Sequence, residues 1–153
     1  MNAADDATVD GDAYFAQYGF RRTTRPFDAK QTRRRLADVT RQAAICARIV
    51  ADGRERFDAE SFEGLKTRMA ATRSIEIIAE ATTKLHSDYK EHFPQAQWRT
   101  LYRMRTLAVH HYDKVRDDLI WAAISTNMPA MVDELGLPAS PDEVIELPTE
   151  LRG

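Results

Sequence analysis

Nine consecutive residues, Met104-Arg105-Thr106-Leu107-Ala108-Val109-His110-His111-Tyr112, gather a fixed cation, two imidazoles and a phenol. A guanidinium stays charged at any working pH and its fork grips phosphate oxygens at two points. Imidazole is the side chain that most readily gives and takes a proton near neutrality. The two together suffice to cleave an RNA phosphodiester without a metal. The imidazole moves the proton of a ribose 2′-hydroxyl, and the guanidinium stabilises the charge that builds on the phosphate. Either His110 or His111 can carry that proton. A duller reading stands beside this one. Tyr112 falls seven residues after Arg105, on nearly the same helical face, as a core phenol would, and a lone histidine is often a surface side chain.

Geometry restricts how the pair can act. On a straight helix, residues five apart point about 140° away from each other. Arg105 and His110 converge only if the helix breaks near Val109-His110 or if two protomers pool their side chains. The second arrangement suits a symmetric dimer, in which each patch meets its own copy.

The elements that must hold these residues are helical. Leu36, Val39, Ala43, Cys46 and Val50 recur at spacings of three and four and predict a helix over 28–51, with Asp28 as N-cap and Asp52-Gly53 as its stop. A second long helix is expected over 61–89, with Leu65, Met69, Ile75, Ile78, Leu85 and Tyr89 inward; Gly64 blurs its start. His92-Phe93-Pro94 breaks the chain. A third helix then carries Trp98, Leu101, Met104 and Ala108 toward the motif. A fourth holds Leu119, Ile120, Trp121 and Ile124, and a short fifth runs from Asn127-Met128-Pro129 to Leu135-Gly136. No strand alternation and no repeat is visible. The expected class is all-α, an antiparallel bundle of four to five helices.

Three units are expected: a flexible extension over 1–26, a helical domain over 27–137, and a loose acidic tail over 138–153 marked by Pro138, Pro141 and Pro148. Tyr14, Phe15, Tyr18 and Phe20 are the apolar exception within the extension. The single cysteine, Cys46, cannot form an intrachain disulfide, and its place on the apolar stripe of the first helix reads as a buried thiol. No apolar run reaches the roughly 18 residues of a membrane span, and a cytoplasmic protein is expected. The net charge of −2 conceals segregation: residues 21–56 hold eleven bases against four acids, and residues 122–153 hold six acids against Arg152. Overall acidity therefore does not exclude nucleic acid, because binding follows the local field. Arg33, Arg34 and Arg35, with Arg103 nearer the motif, are the weaker candidates for phosphate contacts; the basic run serves an acidic partner surface equally well.

Metal and cofactor chemistry find little purchase. No Glu-x-x-His pair occurs, which argues against a di-iron carboxylate bundle. No Gly-rich phosphate loop occurs, so no cofactor is expected. His86 and His92, six apart, lack metal-ligand spacing and read as surface residues. Glu76 and Glu80 form an i,i+4 pair that either approaches the motif or faces solvent.

Several landmarks fall in a characteristic order. They are Ala71-Thr72-Arg73-Ser74-Ile75-Glu76-Ile77-Ile78-Ala79-Glu80-Ala81, then Pro94-x3-Trp98-x6-Arg105-x4-His110-x-Tyr112, then Trp121 and Met128-Pro129. Over about residues 30 to 136 this series resembles the HepT-like family of HEPN-domain proteins. The resemblance implies a dimerising helical bundle and a metal-independent ribonuclease, with tRNA among the targets. It implies a toxin of a type VII-like toxin–antitoxin pair whose partner is a minimal nucleotidyltransferase. By the family pattern Arg105 and His110 form the catalytic pair, with Thr106 and His111 supporting, and Tyr112 is where the partner adds AMP to silence the toxin. Two positions depart from the pattern. Thr106 stands where the family usually has asparagine, and lacks the amide's second donor. Ala79 stands where glycine is common, which implies a slightly wider helix contact. The alternative consistent with Thr106 is a non-catalytic subunit that binds substrate or the nucleotidyltransferase.

Overall fold

The computed structural model describes residues 22–110 and 114–152; of residues 105–110, 114 and 115 it describes the backbone alone. The described chain is helical, with no strand among the described residues: α1 (Ala29–Asp52), α2 (Arg54–Asp58), α3 (Phe62–Thr83), α4 (Ser87–Glu91), α5 (Trp98–His110), α6 (Lys114–Ala122), a π-helical turn (Ala123–Asn127), α7 (Met128–Glu134) and a closing 3-10 turn (Thr149–Leu151). No helix among the described residues is long and apolar enough to cross a membrane.

α1 follows the expected stripe. Asp28 caps it, accepting from the Gln31 amide at 3.0 Å, and Leu36, Val39, Cys46 and Ile49 are buried. Gly53 ends it at φ 96°, a conformation costly for a side chain with a Cβ, and its amide returns to the Val50 carbonyl.

α3 is the central element, packed along both α1 and α5. Its start explains Gly64. A Cβ there would come within 2.0 Å of the Ala59 carbonyl oxygen, so only glycine lets the incoming loop pass this close. Ser61 caps the helix, and Arg68 reaches back to clamp the Phe57 and Ala59 carbonyls at 2.7 and 2.9 Å.

The single long helix expected over 61–89 is two. α3 ends at Thr83, and α4 starts after the His86 cap. His86 is buried rather than superficial. Its Nδ1 accepts from the Asp88 amide at 3.0 Å, which fixes the tautomer, and its Nε2 donates to the Arg25 carbonyl at 2.7 Å. The break is held by residues 22–28, expected to lie mostly in a loose extension. Thr23 and Ser87 exchange amide-to-hydroxyl bonds at 3.0 Å each, Arg25 donates to the Lys84 carbonyl, and Phe27 meets His86 edge-on. Tyr14, Phe15, Tyr18 and Phe20 lie outside the described residues.

A second correction concerns the inward list for α3. Ile75, Ile78, Leu85 and Tyr89 are buried, but Leu65 and Met69 are 46% and 64% exposed. Met69 and Ile78 are nine residues apart, which on a helix is half a turn, so both cannot face one core.

Around α5, Trp98, Leu101 and Met104 are buried, and the Trp98 indole donates to the Phe93 carbonyl at 3.0 Å. α6 runs into α7 through the π turn rather than stopping at Asn127. Pro129 supplies no amide to the Ser125 carbonyl and its ring crowds that oxygen, so the preceding turn widens and the Met128 amide bonds to Ala123. α7 ends at Glu134, with Leu135 as its C-cap and Gly136 at φ 61°. The segment expected as a loose acidic tail is anchored, because Ile145, Leu147 and Leu151 reach the core.

Candidate functional site

α5 carries the motif. Its backbone is helical to His110, where the helix ends. The side chains of Arg105, Thr106 and His110, and the whole of His111 and Tyr112, lie outside the described residues. Arg103, two residues before the motif arginine, is exposed.

The surroundings of the motif are described. Three residues separate the end of α5 from the start of α6, so the first turn of α6 stands next to the motif in the chain. Between that turn and the outer face of α3 lies a groove of about 520 Å³, walled by Leu65, Met69, Arg73 and Glu76 on one side and by Arg116 and Asp117 on the other, with Arg68 and Thr72 at its base. Arg116 donates to the Thr72 hydroxyl at 3.0 Å, and that hydroxyl donates in turn to the Arg68 carbonyl at 2.9 Å. Arg68 lies 3.9 Å from Asp117, and Arg73 pairs with Glu76 at 3.1 Å. The lining thus holds three guanidiniums against two carboxylates. Sequence reading missed this groove, because its walls come from two elements whose crossing has no local signature. A signal did exist: Phe62, Leu65, Met69, Arg73 and Glu76 follow one line along α3, turning from apolar to charged.

The basic run at the start of α1 is not one patch. Arg33 and Arg34 are exposed, in the second turn of α1, after a first turn without an acid. Arg35 is half-buried and turns toward a notch shared with Arg25 and Lys84, its Nε buried without a hydrogen-bond partner among the described residues. The two open positions of the expected acid pair also part company: Glu76 lines the groove, while Glu80 faces solvent beside Lys84 at 2.7 Å.

Other reactive groups are structural. Burial pushes the Cys46 thiol up to about 11, so it is no nucleophile near neutrality. Burial pulls the Lys90 ammonium down to about 8; it sits over the Trp98 ring at 5.8 Å and donates to the Thr83 carbonyl at 3.3 Å. His92 is a surface residue, 3.9 Å from Glu150. Among the described residues no group of three His, Cys, Asp or Glu is placed to hold a metal ion.

Comparison with known proteins joins these observations to one lineage. A protein of Methanocaldococcus jannaschii provisionally named an RNase is 32% identical over 76 residues, half of this chain and 63% of its own. A protein of Thermococcus cleftensis named a probable ribonuclease HepT is 33% identical over 66 residues, 43% of this chain and 60% of its own. The chain thus spans about six tenths of the length of the curated relatives it matches. No solved structure matches. Residues 33–136, from the open face of α1 through the motif to the end of α7, match the family described as Ribonuclease HepT-like, and the chain belongs to that family.

Proposed function

We propose that this protein is an endoribonuclease that cuts RNA, with tRNA as the substrate class, and that it needs no metal. The observation that carries the proposal is the family match over residues 33–136, which contains the whole of Arg105-x4-His110-x-Tyr112. His110 removes the proton of a ribose 2′-hydroxyl, and that oxygen attacks the adjacent phosphorus. Arg105 binds the non-bridging oxygens as their charge grows. The bond to the 5′-oxygen breaks, and that oxygen takes a proton from a second His110 or from water. One product ends in a 2′,3′-cyclic phosphate and the other in a 5′-hydroxyl. His111 and Thr106 support the site, and Arg33, Arg34, Arg35 and Arg103 add phosphate contacts.

The active species is a homodimer. In support, the backbone is helical to His110, and on a straight helix residues five apart point about 140° away from each other, so twofold pairing is the arrangement that lets Arg105 and His110 act together. The protein acts in the cytoplasm as the toxin of a type VII-like pair. Its partner, a minimal nucleotidyltransferase, silences it by adding AMP to Tyr112. That phosphate competes with RNA for the arginine and its bulk fills the cleft.

A second reading rests on Thr106. Without the asparagine amide the site has one donor fewer, and the chain then serves as a non-catalytic subunit that binds substrate or the nucleotidyltransferase. Expression of the wild type and of His110→Ala in bacteria, with purified protein assayed on tRNA in EDTA, separates the two. The nuclease reading expects growth arrest and cleavage from the wild type, and a loss of about 10²–10⁴-fold in rate for the variant. Equal cleavage by a folded His110→Ala protein overturns the role of His110. No cleavage by the wild type, with a stable nucleotidyltransferase complex, favours the second reading.

A further inference from the structure

We propose that the groove between α3 and the first turn of α6 is a nucleotide subsite, which holds one unit of the RNA strand beside the bond that is cut. The inference rests on the ribonuclease reading and adds the residues that seat the strand next to the reacting bond.

Position is the first support. Arg116 follows Tyr112 by four residues, and a chain spans at most about 3.6 Å per residue, so this wall lies within roughly 15 Å of the modification position. A strand reaching the motif passes this groove or leaves in another direction. Size is the second. A space of about 520 Å³ falls within the range of about 300–1,000 Å³ typical of small-ligand sites.

Chemistry is the third. The outer line of α3 offers an apolar stretch, Leu65 and Met69, and then a guanidinium, Arg73. A nucleotide has the same order of parts: an apolar base face and sugar, then an anionic phosphate. Arg73 is largely exposed and fixed at one point by Glu76, so most of its five donors face solvent. Arg116 stands opposite, held in place by Thr72. Arg68 is committed elsewhere, to the Phe57 and Ala59 carbonyls, and its proximity to Asp117 offsets that carboxylate. The open cation that faces a ligand is therefore Arg73, which takes the phosphate, while Arg116 forms part of the opposite wall.

The test is RNA binding by the full chain carrying His110→Ala, which keeps the strand uncut. The probe is a fluorescently labelled single-stranded RNA oligonucleotide, titrated at several salt concentrations. Adding Arg73→Ala is expected to weaken binding about tenfold and to lower the slope of log K against log salt by about 0.7, the loss of one phosphate contact on a single strand. Arg73→Lys is expected to restore the slope. Sedimentation of the same proteins reports their assembly state. Unchanged affinity and slope in Arg73→Ala, with the His110→Ala protein binding RNA normally, overturns the subsite and leaves the ribonuclease reading standing. A change of assembly state in Arg73→Ala marks the groove as a protein interface and overturns it too. No RNA binding by either the wild type or the His110→Ala protein removes the subsite together with the ribonuclease reading.

Discussion

The two long faces of α3 share a backbone and almost nothing else. The inner face, with Ala71, Ser74, Ile75, Ile78 and Thr82, is buried between α1 and α5. It is specified by volume. Its polar members are satisfied, Thr82 within its own helix by the Ile78 carbonyl at 2.8 Å and Ser74 across to Gln42 of α1 at 3.0 Å. The outer face, Phe62, Leu65, Met69, Arg73 and Glu76, carries three large apolar side chains in solvent and an ion pair at the rim of a groove. Nothing in core packing requires that face to look as it does. Stability is written on one side of this helix, and the residues of the other side are free to serve recognition.

That contrast can be broken by substitution. Ile78→Ala should cost about 2–5 kcal/mol in urea unfolding, because it removes buried methyls and leaves a cavity. Met69→Ser, a comparable truncation half a turn away, should change stability by no more than about 0.5 kcal/mol. Equal losses from the two would show that the outer face is covered in solution.

Gly64→Ala sharpens the comparison at the end of the helix, where both faces meet the loop from α2. The new Cβ would strike backbone, the Ala59 carbonyl that Arg68 also holds, so no flexible side chain can yield. The expected loss is about 1–3 kcal/mol, the usual cost of overpacking, read as a lower melting temperature. Because Arg68 lies at the base of the groove, the variant should also weaken RNA binding.

A further effect depends on pH. Lys90 has its ammonium lowered to about 8 in the folded protein, against 10.5 when unperturbed. Between those values the unfolded chain binds the extra proton, so stability rises with pH, and below about 8 the whole penalty is present. Burial raises the phenol of the adjacent Tyr89, which acts in the opposite direction once pH passes 10. The rise is therefore confined to about pH 8–10 and amounts to about 1.4 kcal/mol per pH unit at most. Lys90→Met should flatten the profile over that window in denaturant titrations, and a profile as steep as the wild type would place the lysine elsewhere.

Much of the inner architecture was legible in the residues. Asp28, the stripe from Leu36 to Cys46 and the stop at Gly53 defined α1 to within a residue, because a cap, a period and a positive φ are local properties. The inward assignment of Leu65 and Met69 failed because apolar residues on two faces of one helix share a period when read as a list. The break at Lys84–His86 was hidden for a different reason. Its cause is Thr23 and Arg25, some sixty residues earlier in the chain, and no window of neighbouring residues contains them. The motif Arg105-x4-His110-x-Tyr112 was visible from side-chain chemistry, whereas the groove between α3 and α6 depends on how two helices cross.

The reciprocal pair of amide-to-hydroxyl bonds between Thr23 and Ser87 has a mechanical side. With the Arg25–Lys84 bond, the His86 ring against the Arg25 carbonyl, and the Arg22–Glu91 ion pair at 3.7 Å, it rivets the stretch before α1 to the junction of α3 and α4. Any tug on the chain ahead of residue 22 meets those rivets before it reaches Asp28. A load applied there is borne by the far end of the central helix, and α1 keeps its seat until the fastening gives way.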